Sequence, residues 1–337
     1  MAESPAGLDR PRGVEADGVG VPWPALLAGW AAVALVVAGV ALAVAGGAPE
    51  PSPAGLPDAG PATGWALPVL RLAGHAAALA LIGALLVGLL TGGRPRAGLA
   101  AAAALAWSLS SLLGLLLGVS EIVGRPVPDV LRVDLLSFYV REVPQGRALL
   151  LSAVLAAAVA VLCPLVRGRR DGAAVLVLAL VPAVPPLLTG HAAAAGSHRV
   201  AQGLLIAHVL AAVLWVGGLA ALALLPAGRL DVAAGRFSPL ALGCAVVVTV
   251  SGSLSAGLRL DPLSQLWSTG YGGVLLAKGV TLAVLLAAGA AHRRRTLPGL
   301  AAGAPRSFRR LAAGEMTVMA AAFALAVALS RTPLPGA

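Results

Sequence analysis

Charge is what this chain lacks most. Charged residues make up 11% of its 337 positions, against about 25% in an ordinary soluble domain, which excludes water as its main solvent. Aromatic residues are only 4%, and the two cysteines, Cys163 and Cys244, sit inside apolar runs with no CxxC pair. A disulfide framework and a cysteine zinc site are thereby excluded. Methionine is nearly as rare: past Met1, only Met316 and Met319 occur. No Walker A loop, HExxH or GxSxG sequence is present, so ATP hydrolysis and the familiar hydrolase chemistries have no residues to carry them. No apolar run holds paired carboxylates either, and the expectation is a protein that is not an enzyme.

What the chain has in abundance is Ala, Leu, Val and Gly. Hydrophobic residues reach 59% and the mean hydropathy is +0.92. A helix needs roughly 20 apolar residues to cross the hydrocarbon core. Nine segments qualify: 22–46, 67–91, 97–119, 147–166, 173–190, 201–226, 237–257, 272–292 and 309–330. The predicted fold class is therefore all-α, a polytopic transmembrane helix bundle. Its small residues let backbones approach closely where lipid supplies no hydrophobic push. Residues 1–21 read as a polar cytoplasmic tail. With no small-residue cleavage site behind it, the first apolar run reads as a retained anchor.

Basic residues orient the set. With the N-terminus in the cytoplasm, that side carries Arg10, Arg12, Arg94, Arg96, Arg167, Arg169, Arg170, Arg229, Arg236, Arg293, Arg294, Arg295, Arg306, Arg309 and Arg310. The opposite side carries fewer: Arg125, Arg132, Arg141, Arg147, Arg199, Arg259 and Arg331, with Arg71 and Lys278 inside spans. Nine spans then leave the C-terminus outside. The formal charge of +10 accordingly belongs to cytoplasmic loops in the cell membrane and implies no nucleic-acid partner. Two outer loops are long: 47–66, rich in Pro and Gly, reads as a flexible linker, and 120–146 as an amphipathic interfacial helix capping an outer vestibule. In the fifth span Pro182, Pro185 and Pro186 must break the helix.

Four of the five histidines gather on the outer side under this topology. His191 and His198 flank the loop between spans five and six. His75 and His208 lie on spans two and six at a matched depth of roughly 12 Å. Imidazole suits copper, zinc, nickel and haem iron, so the four form a candidate ladder of metal ligands. The plain alternative is that each ring only satisfies a helix–helix hydrogen bond. His292, beside Arg293–Arg295, reads as an interfacial residue outside any metal site. Lys278 and Glu315 are costly in lipid unless paired or wet, and a pathway through them reads as an alternative to structural pairing. Ser251, Ser253 and Ser255 read as helix glue.

The stretch HVLAAVLWVGGL from His208 to Leu219 resembles the histidine helix of the CopD family of copper-resistance membrane proteins. The likeness continues through Arg236-Phe237-Ser238-Pro239, Ser251-Gly252, the YGGVLLAK run from Tyr271 to Lys278, and Arg309-Arg310 followed by Glu315. It covers residues 186–337 as a CopD-like domain, behind N-terminal membrane helices in 22–185 that carry few recognisable motifs. The resemblance implies copper handling, Cu(I) or Cu(II), in the cytoplasmic membrane, with the ion moving inward. It implies that His191, His198 and His208 are family histidine positions, to which topology adds His75, and that Trp215, Gly217 and Gly218 are packing positions. Cys244, Met316 and Met319 are candidate later stations beside Glu315, although scarce methionine departs from what Cu(I) prefers. An outer copper-binding protein is an implied partner. Two alternatives stand beside transport: haem held between His75 and His208, since the fold resembles that of membrane b-type cytochromes, and copper delivery to an oxidase without transport.

Overall fold

Backbone polar groups in hydrocarbon must be satisfied within their own segment, which makes helices of the apolar runs. A computed structural model describes residues 23–189, 198–260, 262–301 and 305–334, and among these every regular element is helical. In chain order they are α1 (Trp23–Val44), α2 (Gly60–Thr91), α3 (Ala97–Val123), α4 (Val127–Val130), α5 (Val133–Glu142), α6 (Pro144–Leu162) and α7 (Arg169–Leu180). There follow α8 (Val184–Leu187), α9 (His198–Ala223), α10 (Ala227–Gly257), α11 (Gln265–Ser268), α12 (Gly270–Ala291), α13 (Leu297–Ala301) and α14 (Pro305–Leu329). Among the described residues nine segments are long and apolar enough to cross a membrane, and the predicted all-α, nine-span bundle is what forms.

Two edges depart from the hydropathy reading. α2 starts at Gly60 rather than 67, which shortens the expected linker. Asp58 organises what remains of that loop: Gly60 and Ser52 donate their backbone N–H groups to its carboxylate at 2.7 and 3.0 Å, holding it below the ordinary carboxylate range. α10 starts at Ala227 rather than 237. Its added turns are amphipathic, burying Leu230, Ala233, Ala234 and Phe237 at the spacing that faces one side of a helix.

α2 is the central element, in contact with α3, α7, α9, α10 and α14, while α1 lies outside against α14. Its contact with α9 is backbone to backbone: a Cβ on Gly83 would stand 2.7 Å from the Gly217 carbonyl oxygen, and one on Gly217 3.0 Å from that of Leu79. Small residues permit this approach. Gly218 in turn makes room for the Phe237 ring, so the glycine pair does pack as expected.

Arginines close one end of this core. Arg236 donates to the Leu90 carbonyl at 3.0 Å, Arg309 to Leu225 at 3.0 Å and Arg96 to Leu224 at 3.4 Å. These carbonyls lie at or just past the C-terminal ends of α2 and α9, where helices leave acceptors open and favour cations. The two helices therefore run parallel. At the other end Arg71 donates to Ser330 Oγ at 2.8 Å and Arg331 pairs with Glu121 at 2.9 Å. We call the first end inner and the second outer, after the predicted orientation.

The fifth span breaks as its prolines predict. α7 ends at Leu180, a 3₁₀ turn covers Val181–Ala183, and α8 follows. Buried Ser152 of α6 donates to the Pro182 carbonyl at 2.8 Å, re-satisfying a group the break exposes. The amphipathic segment predicted in 120–146 is α5, whose Leu135, Leu136 and Tyr139 pack with Leu115 and Val119 of α3. Phe138 and Val133 point outward.

Candidate functional site

His75 and His208 each lie a little over two turns outward of the Gly83–Gly217 contact, roughly 12–13 Å along parallel helices, so they do share a level. They do not face each other. The His75 ring meets the Phe323 ring of α14 at 5.6 Å between centroids, and its shielded Nδ1 has no hydrogen-bond partner among the described residues. His208 is turned toward α10. Its Nδ1 lies 3.0 Å from Ser251 Oγ, and Ser251 donates its own proton to the Val247 carbonyl at 2.5 Å. Both contacts are satisfied only when Nδ1 carries hydrogen and donates to Ser251. The Nε2 lone pair is then free to hold a metal, the arrangement by which an outer partner fixes a ligating histidine. Ser251, read from sequence as glue, is thus the residue that sets the tautomer of His208.

The rest of the expected ladder is not assembled. His191 lies outside the described residues, and His198 opens α9 with its side chain likewise undescribed. Among the described residues no three His, Cys, Asp or Glu side chains gather closely enough to hold a metal. The facing pair of rings that bis-histidine haem requires is not what His75 and His208 offer, because each turns to a different neighbour.

Positions half a turn apart explain where His208 leads. It falls on the side of α9 opposite Gly217, in one stripe with Trp215, Leu219 and Leu222. The inner part of that stripe lines a cavity of about 230 Å³ whose other walls include Phe237, Leu285 and Phe308. His292, Arg293 and Glu315 also line it. Cys244, Met316 and Met319 do not; they are buried at 5%, 8% and 1% exposure within the main apolar core.

One expectation about the inner half is corrected. His292 is buried against protein and not exposed at the surface: it is 8% exposed and its ring meets that of Phe308 at a tilt, 4.7 Å between centroids. Glu315, also buried, pairs with His292, Nε2 to Oε2 at 3.0 Å, and not with Lys278. The cause is local. Residues His292–Thr296 form a π-helical turn, a wider turn that swings His292 inward, where α12 would otherwise run on as an α-helix. Nothing in the composition of HRRRT announces such a turn.

Lys278 of α12 is close enough to His208 for their charges to interact.

Comparison with known proteins agrees with this architecture. The family model described as copper resistance protein D matches residues 231–329. The model for the N-terminal domain of copper resistance protein D-like proteins matches residues 59–200, the region in which few motifs were recognisable. A copper transport protein, CutJ, of Bacillus subtilis (strain 168) is 36% identical over 112 residues, which is 31% of this chain and 21% of that protein. The chain thus matches about a fifth of that relative's length. No solved structure matches. Two family models met in order along one nine-span bundle show that the chain belongs to the CopD family of copper-resistance proteins.

Proposed function

We propose that the protein carries copper ions inward across the cytoplasmic membrane, with its N-terminus in the cytoplasm, and that it performs no catalysis. The observation that carries this reading is His208, whose Nδ1 is held by Ser251 at the outer end of the stripe leading to the inner cavity. His191 and His198 capture the ion at the mouth, handed over by an outer copper-binding protein. His75 serves as a neighbouring station on α2. The membrane potential drives the step, since inward movement of a cation gains about 2.3 kcal/mol per charge per 100 mV. The family and the relative's name support copper as the cargo.

The test is copper and haem content of the detergent-purified protein followed by copper flux into liposomes. Wild type is compared with a His75→Ala/His208→Ala variant. Expected are bound copper and flux along an imposed potential, with the flux and the copper of the outer histidines lost in the variant. Bound copper without flux moves the protein to copper delivery. A haem spectrum lost in the variant moves it to electron transfer.

A further inference from the structure

The inner cavity ends on a pair of groups that do not satisfy one another. Thr296 Oγ1 donates to the His292 carbonyl at 3.1 Å and also lies 2.7 Å from His292 Nδ1. A carbonyl only accepts, so both contacts are satisfied together only when the hydroxyl donates to it and Nδ1–H donates to the hydroxyl. That leaves a lone pair on His292 Nε2. This nitrogen stands 3.0 Å from Glu315 Oε2, yet out of line for a hydrogen bond, and it has no hydrogen-bond partner among the described residues. With a neutral ring and an ionised carboxylate, two acceptors stand face to face in a buried site, and either a proton on Nε2 or a metal cation between them relieves the repulsion.

Geometry selects the kind of cation. With metal–nitrogen and metal–oxygen bonds of about 2.0–2.1 Å, a 3.0 Å separation corresponds to an angle of about 90° at the ion. Adjacent corners of a square-planar or tetragonal site have that angle, and mixed nitrogen and oxygen donors in that geometry suit Cu(II). A linear Cu(I) site would need the donors much farther apart. The cavity beside the pair leaves room for water to complete the coordination, and Arg293 at its exposed rim adds no donor. The Phe308 ring packs against the imidazole at a tilt of 47°, with centroids 4.7 Å apart.

We infer that His292 Nε2 and Glu315 Oε2 form an inner metal site for an oxidised, borderline divalent ion such as Cu(II), distinct from the outer histidines. Resting on the proposed copper movement, this gives the route a station at each end of the α9 stripe. Met319, one turn along α14 from Glu315 on the same face, belongs to the core behind the site and not to its donors.

The experiment uses the full chain, stripped of metal with a chelator and titrated with Cu(II) in detergent. Metal content is read by mass spectrometry and the site by electron paramagnetic resonance. Wild type is expected to hold one more equivalent than Glu315→Gln or His292→Gln. That equivalent should give an axial signal with coupling to a single nitrogen, and Glu315→Asp should restore part of it. His75→Ala/His208→Ala should keep it. Helix content and melting temperature by circular dichroism identify any variant that has simply lost its fold. Unchanged content and spectrum in both folded Gln variants would reduce the pair to a structural contact and overturn the inference. If only the outer double variant loses copper, the inner site fails while the proposed transport stands. If only the inner variants lose it, the outer reading fails while this one stands.

Discussion

The outer and inner halves of the bundle use the same device in opposite settings. At the outer level Ser251 takes the Nδ1 hydrogen of His208 from a neighbouring helix, 43 positions away in sequence. At the inner level Thr296 takes that of His292 from within one turn, four positions away. In both, a hydroxyl whose own proton is committed to a carbonyl leaves Nε2 exposed to the bundle interior. The outer ring has a cation, Lys278, in its neighbourhood, whereas the inner ring faces a carboxylate. A helix-to-helix contact sets the first geometry, so tertiary packing must be intact before the outer ring is aimed. A local π turn sets the second. The lesson is that two ligand positions of the same chemistry depend on different levels of structure, and they should fail differently.

The strongest way to break this contrast is His208→Ala. It should abolish outer copper binding and lower liposome flux by an order of magnitude or more, as read by metal analysis and a fluorescent copper indicator. Ser251→Ala should follow, weakening outer copper affinity roughly 10-fold, the low end for loss of a partner that orients a ligand. A calorimetric titration showing wild-type affinity in that variant would separate the tautomer argument from function. Gly83→Ala tests what holds both halves together. Forcing a Cβ against the Gly217 carbonyl, 2.7 Å away, should cost about 1–3 kcal/mol, seen as a lower thermal midpoint in detergent. Ser152→Ala should cost about 1–2 kcal/mol by leaving the Pro182 carbonyl unpaired, without changing copper affinity at either level. Smallest is Arg236→Gln, which removes a cation from the C-terminal end of α2 and should cost about 0.3–1 kcal/mol. An equal loss from Arg331→Gln at the far end would remove the distinction between the two ends.

How much of this was readable beforehand follows from range. Hydropathy found every span because membrane crossing is a property of roughly 20 contiguous residues. It missed the first turns of α10, where Leu230, Ala233, Ala234 and Phe237 bury a narrow face among exposed Gly and Arg. Topology placed His75 and His208 at one depth, but depth along an axis does not say which way a ring turns, and the rings turned apart. The His292 error has a sharper cause. Three arginines beside a histidine usually mark the membrane surface, and only the extra residue in a π turn carries this one back into the core. Ser251 and Thr296 were invisible as orienters for a further reason. A hydroxyl that glues helices and one that fixes a tautomer are the same residue type at the same spacing.

The contact between Gly83 and Gly217 divides the interior as a ridge divides a valley. No side chain stands between the two backbones there, so an ion following the proposed route has no donor to step onto across that line. Whatever descends beside His75 and whatever descends beside His208 remain on separate slopes, and only the second slope reaches the cavity. On the proposed route, copper at His75 waits to pass to His208 and copper at His208 is in transit. Occupancy and throughput of one protein can then be altered independently.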